Sequence, residues 1–150
     1  MSRPSRRELA DLLGDVPLFS HCSRRERATV ARHMQTASLD ADTPLIEEGE
    51  EGDALFLILE GSASVRRAGA EVARVGPGAY FGELALLDGE ARSATVVAAE
   101  PVTVAVLGVR MFRTLLREFP EMTFALLAGL AGDLRHAREQ ADATQPGSRA

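Results

Sequence analysis

Residues Ala54 to Val75 read ALFLILEGSASVRRAGAEVARV: three short apolar-rich runs parted by Gly61 and Gly69. Runs of this length, bounded by glycine, predict β-strands joined by tight turns. Working outward, the same punctuation continues through TASL (36–39), PLIE (44–47), AYF (79–81), SATVVAA (93–99) and VTVAVL (102–107). Eight short strands between about 36 and 108 predict an antiparallel roll or barrel, with no alternation of strand and helix along the chain. The flanks change period. Ser5 is placed to cap RRELADLL with Glu8, and Ser23 to cap RRERATVARHM with Glu26, with Pro17 between them, so helices are expected over 5–34. After Gly108, MFRTLLREF, Pro120 and EMTFALLAGLAGDLRHAREQA predict two more helices over 109–141, followed by a disordered tail at 142–150. The fold class expected is therefore mainly β with flanking helices: a jelly-roll-like, eight-stranded β-roll in a single domain over 1–141.

With 150 residues, 45% hydrophobic and 26% charged, the chain has the composition of one globular domain. Its longest apolar run, Ala54 to Leu59, is too short to span a bilayer, so a soluble, cytoplasmic protein with no membrane partner is expected. Cys22 is the single cysteine, which excludes an internal disulfide. A net charge of −5 argues against DNA as a partner, although Arg3, Arg6 and Arg7 form a short basic arm. Asp40 to Glu60 carries eight carboxylates and no base, which reads as a solvated face. Metal chemistry is not expected, because His21, His33 and His136 all fall outside the strands and EEGEEGD at 47–53 fails the calcium-loop spacing. Gly76, Gly78 and Gly82 have the wrong spacing for a dinucleotide fingerprint and read as turn glycines. Without a positioned nucleophile and base, no enzyme is expected.

The segment Phe81 to Val96, FGELALLDGEARSATV, sets two glycines, three acids and an arginine among apolar residues. Gly82 would let a ligand approach the backbone, and the amides of Leu84 and Ala85, opening a short helical turn, would favour an anion. Arg92 precedes an apolar strand, so its guanidinium is expected to be partly buried beside an anionic partner. That partner is either a phosphate or an internal carboxylate from Glu83, Asp88 or Glu90. Glu83 is suited to accept hydrogen bonds from sugar hydroxyls.

FGELALL followed by Arg-Ser-Ala-Thr-Val, with Arg92 nine residues after Glu83, resembles the phosphate-binding cassette of cyclic nucleotide-binding domains, the family of the catabolite activator protein and the cyclic-nucleotide-dependent kinases and channels. The resemblance runs from about Val16 to Ala137. It implies that Arg92 and the amides near Leu84, Ala85 and Ser93 take the cyclic phosphate, with Ala94 beside them. Glu83 and Gly82 would bind the ribose 2′-hydroxyl, and Val65, Val72 and Val75 would carry the base unless they are plain core. The implied ligand is cAMP in preference to cGMP, and the Ser93 hydroxyl could reach either base. The implied role is a regulatory sensor module that signals to an unidentified effector protein by moving its C-terminal helices, through a hinge near 110–119 in which Phe112 and Leu116 repack.

Two departures stand out. Asp133 and Ala137 occupy places where activator relatives offer polar side chains to the adenine, and no helix-turn-helix or other effector of its own is expected. Leu127, Leu130, Leu134, Ala137 and Ala141 follow a heptad-like spacing that suits either a homodimer seam or packing on the roll. Gly129 and Gly132 weaken that helix and suggest a movable lid. The alternative function is a scaffold of the same fold that docks a partner protein and no longer binds nucleotide.

Overall fold

The computed structural model describes residues 4–144, so Arg3 of the basic arm and 145–150 of the expected tail lie outside the described residues. Helix α1 (Arg6–Leu13), a 3-10 turn (Pro17–Phe19) and α2 (Arg24–Arg32) precede the strands. Both N-caps form as expected. The Ser5 hydroxyl accepts from the Glu8 amide at 3.1 Å, and Ser23 and Glu26 exchange reciprocal bonds of 3.1 and 2.8 Å.

The strands are β1 (Gln35–Leu39), β2 (Pro44–Ile46), β3 (Ala54–Glu60), β4 (Ala63–Arg67), β5 (Ala70–Val75), β6 (Tyr80–Phe81), β7 (Thr95–Ala98) and β8 (Val102–Gly108), with a short helix α3 (Ala85–Asp88) between β6 and β7. They form two four-stranded sheets, ordered β1-β8-β3-β6 and β2-β7-β4-β5, and every pairing is antiparallel. The β-roll of eight strands is the fold expected.

Why β3 reads as unbroken apolar sequence is clear from its surroundings, since both of its faces are covered. Leu55 and Leu57 pack with Leu13, Val16, Phe19 and Phe112 under the helices, whereas Ile58 packs with Ala63, Val96 and Val104 between the sheets. Strand β8 divides its side chains the same way, Ala105 and Leu107 to the helices and Val102 and Val104 to the roll. Each fully buried aliphatic of this kind contributes about 1.5–3 kcal/mol.

The β4–β5 hairpin turns through Ala68 and Gly69, both at positive φ, +51° and +82°. That geometry suits Asn-Gly, and alanine in the left-handed region costs about 1–2 kcal/mol. Ala68→Asn is therefore expected to stabilise the fold by about 0.5–1 kcal/mol in urea denaturation. The Ala68 amide, which donates to Glu48 Oε1 at 3.3 Å, is retained in the variant.

Helices α4 (Val109–Glu118) and α5 (Met122–Thr144) close the chain, with Pro120 in the turn between them. The last helix runs three residues past the boundary expected at 141, since Ala- and Gln-rich sequence offers no stop before Pro146. Its first half is anchored: Met122 and Leu126 are buried, and Gly129 lies against the 3-10 turn. Residues 131–142 are exposed on every side, so Leu134, Ala137 and Ala141 do not pack on the roll.

Candidate ligand-binding site

Between the β2-β7-β4-β5 sheet and the segment from β6 to β7 lies a cavity of about 470 Å³. Two stretches of chain supply its polar side. Gly82, Glu83, Leu84 and Ala85 leave β6 and enter α3, and Arg92, Ser93 and Ala94 return toward β7; all seven line the cavity. Val65 and Val75 line it from the sheet, together with Ile46 and Val96. Val72 does not. It is 53% exposed and outside the cavity lining, because it sits at a bulge of β5 that the pairing skips between Val65–Ala73 and Arg66–Glu71.

Arg92 is the centre of the site. Only 8% of it is exposed, and its Nη2 donates one hydrogen bond of 2.9 Å to the Ala54 carbonyl. The guanidinium lies 6.0 Å from the centroid of the Phe56 ring, which stacks on Phe81 at 5.6 Å. None of Glu83, Asp88 and Glu90 forms an ion pair with it. Burial lowers the Arg92 pKa, opposed by the more distant carboxylates of Asp53 and Glu50, and an arginine stays charged regardless. A largely buried cation thus has no counter-ion in contact, which makes an anion in the cavity strongly favoured.

Gly82 is required by its conformation and its neighbours. Its φ is +87°, and a β-carbon there would overlap both Arg92 Nη1 and the Ala54 carbonyl oxygen. The amides divide. Ala85 donates to the Gly82 carbonyl at 3.1 Å, so it is spent inside the turn, whereas the amides of Leu84, Ser93 and Ala94 make no protein hydrogen bond.

Glu83 is half-buried, and its carboxyl pKa is raised first by that burial and further by Asp133 of α5, against a lowering bond from its own amide. The Tyr80 hydroxyl is shifted up by burial, Glu83 and Asp133. The final helix therefore brings the Asp133 carboxylate within electrostatic reach of Glu83 and Tyr80, a meeting that no local sequence pattern places. A carboxyl whose folded pKa is raised stabilises the fold at low pH and loses that contribution as pH climbs through the carboxylate range. Asp133→Asn is accordingly expected to lower the Glu83 pKa and to stabilise the protein near pH 7 but not near pH 4. Carbon-detected titration of Glu83 and thermal melts at the two pH values check it.

Phe56, Phe81 and Tyr80 carry no functional signal in the sequence, because aromatic residues on short strands look like ordinary core. In sum, the cavity offers one buried cation, free amides, an acid that accepts hydrogen bonds and an apolar wall: the parts that hold a phosphorylated sugar bearing an apolar, planar group.

A ligand-binding roll of this kind defines a class, and the chain belongs to the cyclic nucleotide-binding domain family, whose model matches residues 36–119. A cAMP-dependent protein kinase regulatory subunit of Mycosarcoma maydis is 41% identical over 133 residues, covering 85% of this chain and 24% of that protein. The N-terminal domain of a transcriptional regulator from Streptomyces coelicolor A3(2) superposes with a TM-score of 0.78 at 33% identity, covering 86% of this chain and 96% of that one. A cAMP-bound PfPKA-R superposes with a TM-score of 0.63 at 30% identity, covering 82% of this chain and 46% of that one. The chain spans about a quarter to a third of the length of the curated relatives it matches. Among the described residues no helix is long and apolar enough to cross a membrane, and no three His, Cys, Asp or Glu side chains converge as metal ligands would.

Proposed function

We propose that this chain is a cytoplasmic regulatory module that binds cAMP in preference to cGMP, without catalysing a reaction, and reports binding by moving α4 and α5. The observation that carries the reading is Arg92: a cation nine-tenths buried, lining a cavity and lacking a carboxylate partner. In this reading the cyclic phosphate takes Arg92 with the Leu84, Ser93 and Ala94 amides. Ala85 joins once its amide leaves Gly82. Glu83 and Gly82 take the 2′-hydroxyl, and Val65 and Val75 take the base. The cAMP in the related PfPKA-R supports the choice of ligand. Phe112, which meets Phe19 edge to face at 6.4 Å, would repack with Leu116 as the hinge moves. Calorimetric titration with cAMP and cGMP tests the ligand, and a bound structure with α4 and α5 unmoved would remove the signalling step.

Phe124, Leu127 and Leu134 are 82%, 55% and 59% exposed on one stripe of α5. An exposed half-helix of this length is marginal alone, so a second copy of the chain is its proposed partner, tested by sedimentation velocity. A monomer that also fails to bind nucleotide would instead favour a scaffold that docks an effector protein through this stripe.

A further inference from the structure

A second cavity, of about 380 Å³, opens between α1 and α2, far along the chain from the nucleotide site and sharing none of its lining. It is lined by Arg6, Arg7, Arg25, Ala28, Thr29 and Arg32. The lining holds four guanidinium groups and no carboxylate, and none of the four forms an ion pair. In a chain of net charge −5 this is a local reversal of sign. Arg25, Ala28, Thr29 and Arg32 share one face of α2 at helical spacing, and packing of α1 brings Arg6 and Arg7 over that face.

The arrangement is also braced. Thr29, 6% exposed, donates through Oγ1 to the Arg25 carbonyl at 3.1 Å and accepts from Arg32 Nη2 at 3.3 Å, which holds the Arg32 fork at the rim. Four like charges around one concavity repel one another, and a concave wall focuses their field on whatever enters. Guanidinium forks pair bidentately with phosphoryl oxygens, and only a compact ligand with several negative charges could reach all four together.

We propose that this notch binds a compact polyphosphate-class anion, independently of the nucleotide cavity. The same chemistry could come from a free polyphosphate or from a phosphorylated lipid headgroup. Sodium tripolyphosphate titrated into the isotope-labelled full chain at about 150 mM salt, where weak surface attraction is screened, is expected to bind saturably and to move the Ala28 and Thr29 amides. The double variant Arg25→Ser with Arg32→Ser, both exposed positions, is expected to bind at least tenfold more weakly with an unchanged melting temperature. Co-sedimentation with phosphatidylcholine vesicles containing phosphatidylinositol bisphosphate, lost in the double variant, assigns the headgroup as source; binding in solution without co-sedimentation assigns the free anion. Absence of saturation, undiminished binding by the double variant, or shifts centred on Gly82 to Ser93 would overturn the proposal. So would duplex DNA that binds more tightly than tripolyphosphate through the same arginines.

Discussion

Arg92→Ala is expected to weaken cAMP binding by about a hundredfold to a thousandfold, equivalent to roughly 3–4 kcal/mol. The size follows from the setting. At 8% exposure the guanidinium has already surrendered most of its water, and its protein contacts are one carbonyl and the face of Phe56. An arriving phosphate therefore meets a cation that has lost much of its water before binding, so a large part of the charge-assisted bonding is gained. The same setting predicts the opposite sign for the free protein. Arg92→Met keeps much of the stem against Phe56 and removes an uncompensated charge, so the free protein is expected to gain about 1 kcal/mol while losing cAMP as completely as the alanine variant. Calorimetry and urea denaturation on the two variants read both signs. A methionine variant that is less stable yet still binds would make Arg92 a structural residue and remove the central support for nucleotide binding.

Glycine-punctuated strands and serine caps are local signals, and the roll with its flanking helices was legible from them. Arg92 was legible for a related reason: a permanent charge inside an apolar stretch demands a partner wherever the chain folds. What the sequence did not display depends on contacts between distant elements. The Phe56–Phe81 stack joins residues on two paired strands, and either phenylalanine alone looks like core. The approach of Asp133 to Glu83 is set by how α5 docks, which no local pattern in that helix encodes. Val72 belongs with these, since the bulge that leaves it unpaired between Ala73 and Glu71 has no local mark in the sequence. The arginine notch required α1 to be laid on α2 before its charges could be seen together.

Gly129 and Gly132 look alike in the sequence, three residues apart in one helix, yet their alanine variants are expected to move stability in opposite directions. In an exposed helix interior glycine is worse than alanine by about 1 kcal/mol. Gly132 is in that situation: a β-carbon would meet only His21 Nε2, at 3.8 Å, so Gly132→Ala is expected to stabilise by about 0.5–1 kcal/mol. Gly129 lies directly against backbone, and its β-carbon would overlap the Pro17 carbonyl oxygen and sit 3.0 Å from that of Leu18. Neither oxygen can rotate away, because both belong to the 3-10 turn whose Leu18 and Phe19 are fully buried. Overpacking of this kind costs about 1–3 kcal/mol, which outweighs the gain in helix propensity, so Gly129→Ala is expected to be net destabilising in urea. The loss should be local in origin. With α5 lifted from the turn, Asp133 leaves Glu83 and the Glu83 pKa falls back toward the ordinary carboxylate range, an effect Gly132→Ala lacks. A Glu83 titration unchanged by Gly129→Ala would mean that α5 is held by Met122 and Leu126 alone, and that the glycine contact does not set the position of the lid.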